Sequence, residues 1–196
     1  MEDPDGDPSF RAIPSDARKE DLTITHRYYD HSAADGDINV VLPVDRLREL
    51  AAEGRIGGIA PLVYGFMGHI HGRHLSRLIA EFAPEVARRL KGDGADAVVL
   101  TPARGLCNQT VGLVQRAIEA EGIPTAGISI LREVTEKVRP PRSVFLRYPF
   151  GHPLGEAFNV AQQRTILLDA LAALETITEP GTILEPGYVW RRHRFR

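Results

Sequence analysis

Cys107, the only cysteine of the chain, stands in Thr101-Pro-Ala-Arg-Gly-Leu-Cys107-Asn-Gln-Thr110, after the apolar run Asp96-Ala-Val-Val-Leu-Thr101 and at the start of a helical pattern. A thiol at a helix N-terminus faces unpaired backbone N–H groups and the positive end of the macrodipole, and both favour thiolate. Arg104 adds a positive charge and has the planar donor set that clamps a carboxylate or phosphate. Asn108, Gln109 and Thr110, in the first helical turn, offer donors suited to an anion, or simply cap the helix. Arg147, at the end of a later strand, is a further candidate for holding an anionic substrate. The competing reading of Cys107 is a small buried hydrophobe, the usual state of a free intracellular cysteine.

The histidines are local in sequence. His26 and His31 flank Arg27-Tyr-Tyr-Asp30, and Gly68-His-Ile-His-Gly-Arg-His74 carries three more. Alternate histidines on extended backbone share a face, and imidazole ligates zinc, iron, nickel or copper. His26, His31, His69 and His71 are therefore candidate ligands of a divalent metal. They are equally well read as exposed loop residues or as partners of a substrate's acid group. His152, in the Gly151-His-Pro-Leu-Gly155 turn, and His69 are acid–base candidates; His152 could instead brace its turn. No G-x-G-x-x-G follows a strand and no Walker loop occurs, so the motifs support no nucleotide cofactor.

These residues need elements to position them. From Asp96 the pattern alternates regularly: strand 96–101, helix 107–121, strand 125–130, helix 131–138, strand 143–147 and a long helix 156–175. Short β-rich runs separated by amphipathic helices predict an α/β fold, a three-layer sandwich around a mostly parallel sheet, Rossmann-like and doubly wound. In such a sheet ligands lie at the carboxyl ends of strands. The loops holding Arg104 to Cys107 and Tyr148 to Pro153 both occupy that position. Upstream, Ile38–Leu42 reads as a short strand, Val44–Gly54 as a helix, and Leu75–Leu90 as a helix divided by Pro84. Residues 1–20, rich in Asp, Pro, Ser and Gly, read as a flexible arm, 21–178 as a single α/β domain, and 179–196 as a basic tail.

With 196 residues, 43% of them hydrophobic, the chain has material for about one domain. A net charge of -2 gives no drive toward nucleic acid. No apolar run is long enough for a membrane span, and the acidic start is unlike a signal peptide, so a cytoplasmic protein is expected. One cysteine forbids an internal disulfide and any four-cysteine zinc site.

Several segments in order resemble the glycine/sarcosine/betaine reductase selenoprotein B family. They are Leu22-Thr-Ile-Thr-His26, Tyr29-Asp-His-Ser32, Asp37-Ile-Asn-Val40, Asp45-Arg-Leu-Arg-Glu-Leu50, Phe66-Met-Gly-His69, Thr101-Pro102, Cys107-Asn-Gln-Thr110, Arg132-Glu-Val-Thr-Glu-Lys137, Pro149-Phe-Gly-His-Pro-Leu-Gly155 and Gln162-Gln-Arg164. The resemblance implies a U-x-x-C or C-x-x-C redox pair on the loop after the 96–101 strand. It also implies attack on a substrate carbon, cleavage of a bond to nitrogen, and resolution by the second group. Here Arg104 stands at the first position and only Cys107 remains. A solitary thiol cannot close an intramolecular disulfide, so a reductive cycle would need an external thiol or a partner cysteine.

Three functions remain open. The first is an enzyme resembling the family's reductase subunits, acting on a small anionic, amino-acid-like metabolite through Cys107, with Arg104 as clamp and His152 or His69 carrying protons. The second is a redox-neutral lyase, isomerase or hydrolase, metal-assisted through the histidines. The third is a non-catalytic relative that binds a ligand or a partner subunit. Homodimerisation stays open, and the Trp190–Arg196 tail would suit an acidic partner or simple solvation.

Overall fold

A computed structural model describes residues 5–26, 28–191, 194 and 195. Four strands, β3 (Val98–Leu100), β4 (Thr125–Ser129), β5 (Arg142–Phe145) and β6 (Thr182–Leu184), form an all-parallel sheet in the order β3-β4-β5-β6. Two more, β1 (Phe10–Pro14) and β2 (Leu62–Phe66), pair antiparallel as a separate ribbon. The helices are α1 (Ser32–Gly36), α2 (Val44–Ala52), α3 (Gly72–Arg77), α4 (Ala83–Gly92), α5 (Cys107–Ala120), α6 (Arg132–Val138) and α7 (Val160–Thr176).

Strand β4 shows the layering. Ala126 and Ile128 point into a core with Ile166, Ala170 and Ala173 of α7. A Cβ on the intervening Gly127 would meet Gln115 and Val111 of α5. The pleat thus sends alternate residues to helices on opposite faces, as expected of a three-layer α/β sandwich. A second core joins Val86, Ala87 and Leu90 of α4 to Val114 and Ile118 of α5. Together the two cores bury the helical stripes that made the α/β pattern legible.

The expectations fail where partners are distant in sequence. Phe10–Pro14, placed in a flexible arm, is strand β1, because Phe10 packs edge-on against Tyr64, 5.5 Å away, and the ladder to β2 satisfies its backbone. Thr182–Leu184, placed in the tail, closes the sheet as β6. Ile38–Val40 is a 3-10 turn rather than a strand, because the Asp37 carboxylate accepts from Asn39 N at 3.1 Å and draws the backbone round. Between α3 and α4 a π-helical stretch, Leu78–Phe82, runs into Pro84 at the start of α4, so the helical course continues past the proline that was expected to divide it. Helix α7 begins at Val160, where Asn159 caps Gln162 N at 3.2 Å.

Around Asp37 a polar network joins this turn to α2 and α7. Besides Asn39, the carboxylate accepts from Phe158 N at 2.8 Å and Gln163 Nε2 at 2.7 Å. Burial alone would raise the pKa of Asp37, but the bonds from Gln163, Phe158 and Asn39 outweigh it and hold the carboxyl below its ordinary range. Gln162 donates to Tyr148 Oη and accepts from Glu156 N, while Arg164 reaches Glu49 and Glu53. Segments 37–40 and 162–164 therefore hold the scaffold together.

Candidate functional site

Cys107 is the first residue of α5, at the carboxyl end of β3. Its neighbour across the end of the sheet is the backbone following β2. A Cβ on Gly68 would lie 2.0 Å from Cys107 Sγ, so only glycine allows that approach. Asn108 clasps the loop, donating to the carbonyls of Arg104 and Gly105 at 2.9 Å each and accepting from Ile130 N at 3.0 Å. The 148–155 loop joins it: Gly151 N donates to Ala103 O at 2.7 Å, and a Cβ on Gly105 would meet Phe150. A Cβ on Gly151 would in turn strike Asp30 O, which brings in the 26–31 segment. Three loops thus converge on the thiol.

A train of rings runs through this junction. His71 lies 4.6 Å from His69, His69 lies 4.7 Å from Tyr28, and His26 sits 5.5 Å from Tyr28 and 5.3 Å from Tyr29. The Arg104 guanidinium stands 5.7 Å above the Tyr28 ring, close enough for a cation–π contact. Burial, then the charges of Arg104, His69 and His31, holds the pKa of His26 below its usual value, which favours the neutral ring. Burial, with smaller contributions from Cys107 and Asp35, pushes Tyr29 up to about 12. His26 Nε2 and His69 Nδ1 are buried without a hydrogen-bond partner among the described residues.

Of the two readings of the thiol, its surroundings favour the buried one. Burial pushes the Cys107 thiol up, and the backbone of Ala103, Arg104 and Cys107 together with the Arg104 charge only partly offset it. The helix N-terminus is present, but desolvation wins because the sulfur is almost wholly covered. The raised value favours the thiol over the thiolate.

Several other candidates are already engaged. His152 braces its turn through Nδ1 to Gly155 O at 3.2 Å and rests 4.9 Å from the Trp190 ring. Arg147 pairs with Glu185 at 2.7 Å, and His31 with Asp35 at 2.6 Å. Thr110 is buried with its hydroxyl unpartnered among the described residues, Gln109 is half-buried, and Asn108 is consumed in the loop. Among the described residues no group of three His, Cys, Asp or Glu side chains is placed to hold a metal. The proposed ligand set is not assembled, because His31 is turned to Asp35 and His69 and His71 meet edge to face. Tyr28, Tyr29 and Gly68 were not foreseen as site residues, although their position beside His26 and His69 was the available signal.

The model of the glycine/sarcosine/betaine reductase selenoprotein B family matches residues 13–103. The D-proline reductase subunit gamma of Acetoanaerobium sticklandii is 42% identical over 183 residues, covering 93% of this chain and 75% of that protein. The chain belongs to the selenoprotein B family. The glycine reductase complex component B subunit gamma of Carboxydothermus hydrogenoformans is 32% identical over 174 residues, 87% of this chain. The betaine reductase complex component B subunit beta of Peptoclostridium acidaminophilum is 30% identical over 131 residues, 65% of this chain. This family member spans 39% of the glycine reductase relative and 29% of the betaine reductase relative. No solved structure matches the chain significantly. Among the described residues no helix is long and apolar enough to cross a membrane.

Proposed function

We propose that the chain is the thiol-bearing subunit of a reductase acting on a small anionic, amino-acid-like metabolite, with D-proline the first candidate because the 42% identical relative is named for it. The observation that carries this reading is the convergence of three loops on Cys107, with Arg104 beside it over Tyr28. Arg104 would take the substrate carboxylate in its planar fork. Neutral His26, with His69 next along the ring train, would accept the thiol proton. The thiolate would then attack the carbon bonded to nitrogen, that bond would break, and the nitrogen would leave with a proton. An external dithiol supplies the two electrons: one sulfur attacks Cys107 Sγ and the carbon departs and is protonated. The second sulfur then frees Cys107 as a thiol and closes the external disulfide.

The test is protection of Cys107 from maleimide, followed by intact mass. Millimolar D-proline is expected to slow labelling of the wild type and not of Arg104→Gln. Equal labelling with and without D-proline, glycine, sarcosine or betaine overturns the substrate class. The burial that favours the Cys107 thiol also suits a proton donor. Consumption of substrate without added dithiol, lost in Cys107→Ala, would favour that redox-neutral reading.

A further inference from the structure

The ribbon and the sheet do not meet edge to edge. Gly68, two residues past the end of β2, abuts Cys107, which opens α5 after the loop that follows β3, so the segments leaving the carboxyl ends of the two strands meet. Strands joined through helices whose carboxyl ends lead to one place would ordinarily be neighbours in one sheet. Instead β2 pairs only with β1 and β3 only with β4. Between them lies a cavity of about 1280 Å³. Leu62–Met67 and Ala95–Leu100 line it, with Val86, Leu90, Val114 and Ile118 from the α4–α5 layer, Leu47 and Leu171 from the α2–α7 layer, and the chain's own segments Leu22–His26 and Ile56–Pro61 along its wall.

The hydrogen-bond ladders show which backbone groups face this slot. Ser15 N donates to Pro61 O, so in the β1–β2 register Pro61, Val63 and Gly65 turn toward β1, and Leu62, Tyr64 and Phe66 turn outward. Val98 N donates to Pro124 O, so Val98 and Leu100 face β4, and Ala97 and Val99 turn outward. Both rows of N–H and C=O groups point into the slot. The strand bordering it is apolar yet only half-buried at Val98, Val99 and Leu100, and Ala97 is exposed. Two hydroxyls on the lining, Tyr64 Oη and Thr110 Oγ1, are buried without partners among the described residues, and Thr110 is only 4% exposed.

We propose that this slot receives one extended segment of a partner polypeptide, which pairs with β2 on one side and β3 on the other and makes the sheet continuous. An apolar channel with backbone donors and acceptors on both walls has the chemistry of a missing strand. At its amino end Asp93 and Asp96 are exposed and form no ion pair among the described residues, which selects a basic residue at the entering end. Among the described residues, those nearest the two ends are engaged elsewhere. Asp5 O accepts from His71 N, the following residues form β1, and β6 lies at the opposite edge of the sheet. A strand running parallel to its neighbours would emerge beside Cys107 and so deliver a partner's group to the thiol. This last consequence alone rests on the proposed function.

The probe is an acetylated, amidated peptide of two lysines followed by alternating valine and threonine, with binding to the full chain read by fluorescence anisotropy. The peptide is expected to bind, more weakly at high salt, and to protect the amides of Tyr64, Phe66 and Val99 from hydrogen exchange. Ala97→Pro removes an outward N–H without touching the β3–β4 ladder and is expected to weaken binding roughly tenfold. In case that variant misfolds, peptides N-methylated along one edge or the other supply the same test, because a two-sided slot rejects both. Binding insensitive to methylation of either edge overturns the proposal. So does binding that leaves those amides unprotected, the behaviour of a pocket for small apolar molecules. A dimer of the free chain that Ala97→Pro dissociates would assign the slot to a second copy and overturn the partner. Absence of any binding also overturns it, and none of these outcomes bears on maleimide protection of Cys107.

Discussion

The Asp37 carboxylate and the cluster around Cys107 are both buried, and their polar atoms are treated in opposite ways. At Asp37 both carboxylate oxygens are occupied, and the Gln162 and Gln163 amides that adjoin it are engaged in turn. Around Cys107, by contrast, His26 Nε2, His69 Nδ1 and Thr110 Oγ1 have no partner among the described residues. A buried polar atom without a hydrogen bond costs about 1–3 kcal/mol. The first region therefore stabilises the fold, while the second holds unsatisfied groups where a ligand would satisfy them. Motif residues of the same family thus divide into a scaffold and a site by their hydrogen bonding.

Substitutions can break this comparison. The largest effect is expected from Asp37→Ala, which strands the Phe158 and Asn39 amides and the Gln163 side chain, and should cost about 3–4 kcal/mol in a urea melt. Next is Gly68→Ala, whose new Cβ collides with Cys107; roughly 2 kcal/mol should be lost, with a changed rate of Cys107 alkylation. Asn159→Ala should remove the α7 cap at about 1 kcal/mol. Thr110→Val deletes an unpartnered hydroxyl and should leave stability within about 0.5 kcal/mol of wild type or raise it. A loss at Thr110 as large as that at Asp37 would end the distinction.

The pH dependence sharpens it. Because burial pushes the pKa of the folded Cys107 thiol up, its contribution to stability is complete below the ordinary thiol value of about 8.5 and is lost as pH rises from there through the folded value. Alkylation should follow a profile displaced to higher pH than that of a free thiol, and Cys107→Ser should flatten the alkaline limb of the melt. For His26 the direction is reversed. The folded ring stays neutral while the unfolded one takes a proton below about pH 6.5, so stability falls on acidification and His26→Gln should remove that loss.

What the sequence revealed follows the range of the interactions involved. The alternation from Asp96 to Thr176 is written in local periodicity, and β3 to α7 follow it closely. Strand β1 is fixed by residues about fifty positions away, and no local pattern in Phe10–Pro14 announces them. Ile38–Leu42 looked extended because its apolar run outweighed one carboxylate, Asp37, whose side chain turns the backbone. In the site, both the helix N-terminus behind Cys107 and its possible burial were legible, but the choice between them was not, since Gly68 covers the sulfur from another element. His152 and Arg147 were reasonable by type, and only their contacts with Gly155 and Glu185 show how they are used.

The Gly68–Cys107 contact has a mechanical meaning as well. There the backbone leaving the two-stranded ribbon bears on the first residue of α5, at the carboxyl side of the main sheet and on the wall of the cavity. The two bodies are pinned there like the jaws of a clip. Anything that spreads or draws together β2 and β3 would pivot about the sulfur, so that the filling of a distant channel would be read as a change in the reach of a single thiol.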